Sequence, residues 1–175
     1  DLAIFNGILH LMNLQQPRGM NLPIDNFFKS LAQDQGPNSI GIILSGTGSD
    51  GTLGLKHIKS ELGMVMVQEE VSARYNGMPH SAISTGLVDY VVPVDKMPDT
   101  LVKYTRHAII NPTHRINPDE DMFQRDLQKI FILLRSHTSH DFSLYKKNTI
   151  VRRIERRMHV HQIDNIHDYV VYLTK

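Results

Sequence analysis

Cysteine is absent from the 175 residues, which excludes disulfides and thiolate metal sites and suits the cytosol. No apolar run approaches the roughly 18 residues of a membrane-spanning helix, and no signal peptide is visible. A soluble, cytoplasmic protein without membrane insertion is therefore expected. Ten histidines are present, among them His57, His80, His137, His140, His159 and His161, yet none falls in HExxH or a comparable ligand spacing. No metal site is expected. Ser45 and Ser49 lie outside any G-x-S-x-G elbow, which leaves them weak nucleophile candidates. An initiator methionine is lacking, and the chain stops at Thr174-Lys175 inside a helical pattern. The expectation is a piece cut from a longer protein.

Net charge is also nearly absent, at +1, with ordinary hydrophobic (41%) and charged (21%) fractions. Its distribution says more. Residues 1–112 carry 8 basic and 10 acidic side chains, a balance of −2, and residues 113–175 carry 11 and 8, a balance of +3. The second part is the one suited to an acidic partner.

What is present is organised around Ser45-Gly46-Thr47-Gly48-Ser49-Asp50-Gly51-Thr52-Leu53-Gly54-Leu55. It follows the apolar run Ile40-Gly41-Ile42-Ile43-Leu44 and opens into helical spacing at Leu53, Leu55, Ile58 and Leu62. That order predicts a buried parallel strand, a tight glycine turn and a helix. Gly46, Gly48 and Gly51 permit positive φ and close approach to the backbone. Asp50 would stand at the carboxyl end of a strand, where open α/β sheets carry ligands and chemistry. Three readings of the loop remain open on spacing. Gly46-x-Gly48-x-x-Gly51, with Glu69 or Glu70 downstream, matches a dinucleotide fingerprint, although Asp50 inside the turn would repel a pyrophosphate. Asp50 could instead orient a catalytic histidine. Or it could be a helix N-cap.

Along the chain, residues 1–20 show no clean period, and 17–20 read as a loop. Pro23 starts a helix with Ile24, Phe27, Phe28 and Leu31 on its apolar face. The helix after the glycine turn closes near Leu62-Gly63, with the glycine as C-cap. Met64–Val67 predicts a second buried strand. Tyr75–Pro79 reads as a turn, with a short helix beginning at Ser81, and Leu87–Val92 as an edge strand stopped by Pro93. A helix runs from Asp95 to about Ile110. Asn-Pro steps at 111–112 and 117–118 bracket a polar stretch, placing the boundary between domains at 1–112 and 123–175 with 113–122 as linker. The second domain is all helical. Within it Ile150, Val151, Ile154 and Met158 share one arc of a helix, and Arg152, Arg153, Arg156 and Arg157 share another, expected to be exposed. Such clustering suits an acidic protein surface, nucleic-acid phosphate, or merely a solvated face. No aromatics interleave with the arginines, which weakens a single-strand nucleic-acid reading.

The same residues carry a resemblance to known families. Ser45–Leu55 resembles the glycine–aspartate signature of bacterial chemotaxis protein-glutamate methylesterases. Leu22-Pro23-Ile24-Asp25 with Phe28-x-Ser30-Leu31, Val67-Gln68-Glu69, and Tyr75-Asn76-Gly77-Met78-Pro79-x-x-Ala82-Ile83 match that family's neighbouring segments in order, over roughly residues 15–100. Residues 123–175 resemble the N-terminal helical domain of chemotaxis receptor methyltransferases. The matching text is Phe131 with Leu134, His140-Asp141-Phe142, Tyr145-Lys146-Lys147, Arg152-Arg153-Ile154-x-Arg156-Arg157-Met158 and Asp168-Tyr169. The chain thus looks like the junction of a fused methylesterase–methyltransferase.

That resemblance implies an α/β domain with a partial doubly wound parallel sheet, followed by a small all-α domain. It implies that Asp50 is the aspartate of a Ser-His-Asp triad that hydrolyses receptor glutamate methyl esters, with glutamine deamidation in some members. Gly46, Thr47, Gly48, Gly51 and Met78 would form the active-site loop. Thr47 departs from a common methionine there, and no residue before Asp50 matches the family's serine or histidine, which lie upstream. The stretch alone would then be inactive. In the helical domain Arg152, Arg153, Arg156 and Arg157 would meet the acidic receptor. S-adenosylmethionine would be held by a later methyltransferase domain, and the esterase half needs no cofactor. Ser139 stands where a glycine is common. The implied partner is a methyl-accepting chemotaxis-type receptor, with histidine kinase or response-regulator domains in the same system and no nucleic acid. The rival class is a non-catalytic docking module.

Overall fold

The computed structural model describes residues 1–12, 22–110 and 120–175. The loop expected at 17–20, both Asn-Pro steps and most of the expected linker lie outside the described residues. Contacts divide the chain into two compact units, Asp1–Asp99 and Thr100–Lys175.

The first unit opens with a hairpin that shows no period in the sequence. Strands β1 (Leu2–Phe5) and β2 (Ile8–Leu11) pair antiparallel, Leu2 opposite Leu11 and Phe5 opposite Ile8. Asn6 and Gly7 both take positive φ, 52° and 73°, as a two-residue hairpin turn requires. Their N–H groups donate to the Asp34 carboxylate, which lies on helix α1 (Pro23–Gln35). Asn-Gly between apolar residues is the local signal for such a turn.

Pro23 occupies the first turn of α1, where its missing N–H costs nothing. Phe28 and Ala32 are buried, and Ile24, Phe27 and Leu31 pack beside them. Strand β3 (Ile40–Ile43), helix α2 (Thr52–Ser60), strand β4 (Met64–Gln68), helix α3 (Gly77–Ile83) and strand β5 (Tyr90–Val92) follow. Helix α4 (Met97–Ile110) comes next in sequence. The sheet order is β3-β4-β5, all parallel, with Ile40 opposite Met64 and Met66 opposite Tyr90. The mixed α/β class with a parallel sheet is as expected. Every residue of β4 is buried, which is why Met64–Val67 is an unbroken apolar run rather than an alternation.

Two local expectations are corrected. The left-handed residue ending α2 is Leu62, φ 67°, not Gly63. Gly63 is required instead by contact, since a Cβ there would strike Ser39 and Ile58. Helix α3 starts at Gly77 rather than Ser81, because Pro79 falls in its first turn, where proline is tolerated.

The second unit is helical: α5 (Glu120–Thr138), α6 (Lys147–His161) and α7 (Ile166–Leu173). Leu127, Ile130, Ile150, Ile154, Met158, Ile166, Tyr169 and Val170 form its core. Asn165 caps α7, its side chain accepting the Asp168 N–H at 2.9 Å. No described helix is long and apolar enough to cross a membrane.

Candidate functional site

The site is built where the loop after β3 meets the first turn of α1. Ser45 fixes the loop's entry. Its N–H donates to Gln68 Oε1 at 2.9 Å and its Oγ accepts the Tyr75 N–H at 2.9 Å. Gln68, at the end of β4, is buried, and its amide donates to Ser72 Oγ at 3.2 Å. Gly46 donates to the Tyr75 carbonyl and accepts from the Met78 N–H, each at 2.9 Å. Three segments distant in sequence are thereby stitched into one loop cluster.

The glycines divide by role. Gly48 and Gly51 hold φ of 80° and 92°, where glycine carries no Cβ penalty. Gly46 has no positive φ; a Cβ there would collide with the Met78 thioether. Gly77 brings α3 so close that a Cβ would stand 2.9 Å from the Gly48 nitrogen. Met78 and the glycine loop thus meet as the motif order implies, while Thr47 is exposed.

Asp50 is half-buried, and it is an N-cap of a helix other than its own. Its Oδ2 accepts the Ile24 N–H at 3.2 Å and its Oδ1 accepts the Asp25 N–H at 3.0 Å. These are first-turn donors of α1, where a carboxylate also meets the positive end of the helix dipole. Helix α2 is instead capped at Gly51, with no side-chain bond. A carboxylate offers about four lone-pair sites, so each Asp50 oxygen keeps capacity for a further donor such as an imidazole N–H.

The dinucleotide reading fails on this geometry. The Gly54 N–H in the first turn of α2 is already taken by Asp25 Oδ1 at 2.6 Å, and Asp50 adds negative charge where a pyrophosphate would need to sit. Glu70 faces His80 Nδ1 at 3.2 Å, pairing α3 with the segment after β4.

The arginine helix needs one correction. Arg152, Arg153 and Arg157 are exposed, but Arg156 is buried. Its guanidinium lies 5.1 Å above the Tyr104 ring, a cation–π geometry that uses its cationic face internally. Burial pushes the Tyr169 hydroxyl above its usual pKa, while the positive charge of Arg157 acts the other way. Sequence reasoning did not single out Gln68 or Asp25 as parts of the site. The available signals were a polar residue ending an apolar strand and an acid in a helix's first turn.

Residues 3–101 match the family model described as CheB methylesterase, and residues 125–175 match the CheR methyltransferase all-alpha domain. A protein-glutamate methylesterase/protein-glutamine glutaminase of Pyrococcus horikoshii is 40% identical over 85 residues, 49% of this chain and 23% of that protein. An uncharacterized 104.1 kDa protein of Rhodobacter capsulatus is 34% identical over 177 residues, 90% of this chain and 19% of that protein. The crystal structure of the Thermotoga maritima CheB methylesterase catalytic domain superposes with a TM-score of 0.51 and 30% identity. That likeness covers 58% of this chain and 55% of the other. The chain thus spans about a quarter or less of the length of these two curated relatives.

Proposed function

The chain belongs to the CheB methylesterase family through residues 3–101 and continues into a CheR-type all-alpha domain, and from that membership we propose that it is part of an enzyme that adjusts receptor methylation. The first half serves hydrolysis of glutamate methyl esters, with glutamine deamidation as the related reaction. The second half serves S-adenosylmethionine-dependent methylation of the same class of glutamates. The carrying observation is the two-point backbone grip on Asp50. It fixes a carboxylate, with lone pairs to spare, at the carboxyl end of a parallel sheet.

In this reading Asp50 holds the histidine in the tautomer that accepts the serine proton. It then stabilises the imidazolium as the serine attacks the ester carbonyl. Methanol leaves, and water hydrolyses the acyl-enzyme. The serine and histidine come from parts of the family fold that this chain does not span, so the 175 residues alone are expected to hydrolyse nothing. Arg152, Arg153 and Arg157 present the cationic surface for an acidic receptor segment. The setting is cytoplasmic signalling, alongside histidine kinase and response-regulator domains.

One observation favours a second reading. Among the described residues both partners of Asp50 are helix N–H groups, so a non-catalytic docking module could retain Asp50 as a cap alone. Ester hydrolysis by the full-length protein on a methylated receptor peptide, wild type against Asp50→Asn, separates the two. The esterase reading expects a fall of about 10⁴-fold in kcat. Equal rates, or no hydrolysis by the wild type, would leave the docking module standing.

A further inference from the structure

The loop bearing Asp50 and the first turn of α1 exchange caps. Asp50, just before α2, receives the Ile24 and Asp25 N–H groups of α1. Asp25, in the first turn of α1, returns the favour through Oδ1, which accepts the Gly54 N–H of α2 at 2.6 Å. Each acid thus satisfies donors that the other helix leaves orphaned. The two helices meet closely enough that a Cβ on Gly54 would lie 2.6 Å from Phe28 Cβ and 3.1 Å from Asp25 Cα.

Asp25 is itself buried, and its Oδ2 has no hydrogen-bond partner among the described residues. A buried carboxylate oxygen left unsatisfied is destabilising, and capping α2 does not require a second oxygen. What only position 25 supplies is the cross-tie. It anchors α2 to the same helix turn whose N–H groups grip Asp50, so carboxylate and donors move as one body.

We propose that Asp25 is a positioning residue for Asp50: its carboxylate, by locking Gly54 to the first turn of α1, sets the place and orientation of the Asp50 side chain. The inference rests on the esterase reading of Asp50. It deepens that reading by naming the group that aims the triad carboxylate. What matters in it is the acceptor at Oδ1 and its reach, not the charge.

The test uses the full-length protein and a methylated receptor peptide, with kcat and KM measured for Asp25→Glu, Asp25→Asn, Asp50→Asn and Lys59→Met. Asp25→Glu keeps the charge and displaces the acceptor; kcat is expected to fall at least about tenfold with KM within about twofold. Asp25→Asn keeps an acceptor oxygen in place and should recover kcat to within about threefold of wild type. Lys59→Met breaks an ion pair elsewhere in the same unit. It should lower the melting temperature and leave kcat alone, which separates positioning from a general loss of stability. Should Asp25→Glu not fold by circular dichroism, Asp25→Ser, too short to reach Gly54, takes its place. The proposal is overturned if the displaced acceptor leaves kcat unchanged, or if Asp25→Asn loses as much as Asp25→Glu. Wild-type activity in Asp50→Asn would instead remove the esterase reading itself, whatever Asp25 does.

Discussion

Asp50 holds the first turn of α1 through two backbone N–H groups, and its neighbours are correspondingly constrained. A methyl group at Gly54 has nowhere to go, because Phe28 Cβ and the Asp25 backbone are not flexible tips. Gly54→Ala is expected to destabilise the first unit by about 2 kcal/mol, read by urea unfolding; a change under about 0.5 kcal/mol would contradict the close packing. The opposite sign is expected at Ser139. It holds φ of 60° just after α5, a left-handed position that glycine takes without penalty. Ser139→Gly should raise the stability of the helical unit by about 1 kcal/mol, and a lowered melting temperature would refute it. The sequence showed that glycines crowd around Asp50. It did not show that Gly46 serves contact while Gly48 and Gly51 serve φ, because φ and contact leave the same letter.

At the scale of elements, the first unit is tied by a pair that local pattern does not reveal. Lys59 Nζ on α2 meets Asp89, before β5, at 2.7 and 2.9 Å, and Asp89 also accepts the Val65 N–H of β4. The Asp89 side chain is almost wholly buried. Lys59→Met, which strands that buried charge, is expected to cost about 3 kcal/mol; a cost below about 1 kcal/mol would show the pair to be dispensable. Asp126 offers a graded comparison. It is equally buried, but its partners Lys129 (2.7 Å) and His167 (3.4 Å) are more than half exposed. Both can return to water, so Asp126→Asn should cost only about 1–2 kcal/mol. Helices α1, α2 and α5 to α7 were legible from their 3.6-residue period, and β3 and β4 from their apolar runs. The β1–β2 hairpin was legible only at its Asn6-Gly7 turn, since strands of four residues give no period and its anchor, Asp34, lies on α1. Helix α3 starts at Gly77, ahead of the expected Ser81, because Pro79 looks like a breaker until its place in the first turn is known.

Across the whole molecule, stability should fall on acidification. The Gln35 side chain and the Gly7 N–H hold the Asp34 carboxyl below its usual pKa. Lys129 does the same for Asp126, and the Ser143 side chain and N–H for Asp141. A carboxyl whose folded pKa lies below its unfolded value of about 3.9 contributes stability that is fully present above that value. The contribution is lost as pH falls through the folded pKa. As far as these three carboxyls go, unfolding free energy should be flat between about pH 5 and neutrality and decline below about pH 4; a rise on acidification would contradict it. Both family matches follow letters that stand close together: the glycine–aspartate loop, the segments around Gln68 and Met78, and the arginine run. The sequence by itself determined the order of the parallel strands and the helices, the α/β-then-α division, and the family. Tertiary structure alone decided that Asp50 caps α1 rather than α2, that Asp25 answers it, and that Arg156 turns inward to Tyr104. The reason is physical. Periodicity and turn chemistry act within a few residues and are written locally, whereas the donors on Asp50 and the acceptor for Gly54 lie 25 to 29 residues away, and only folding brings them together.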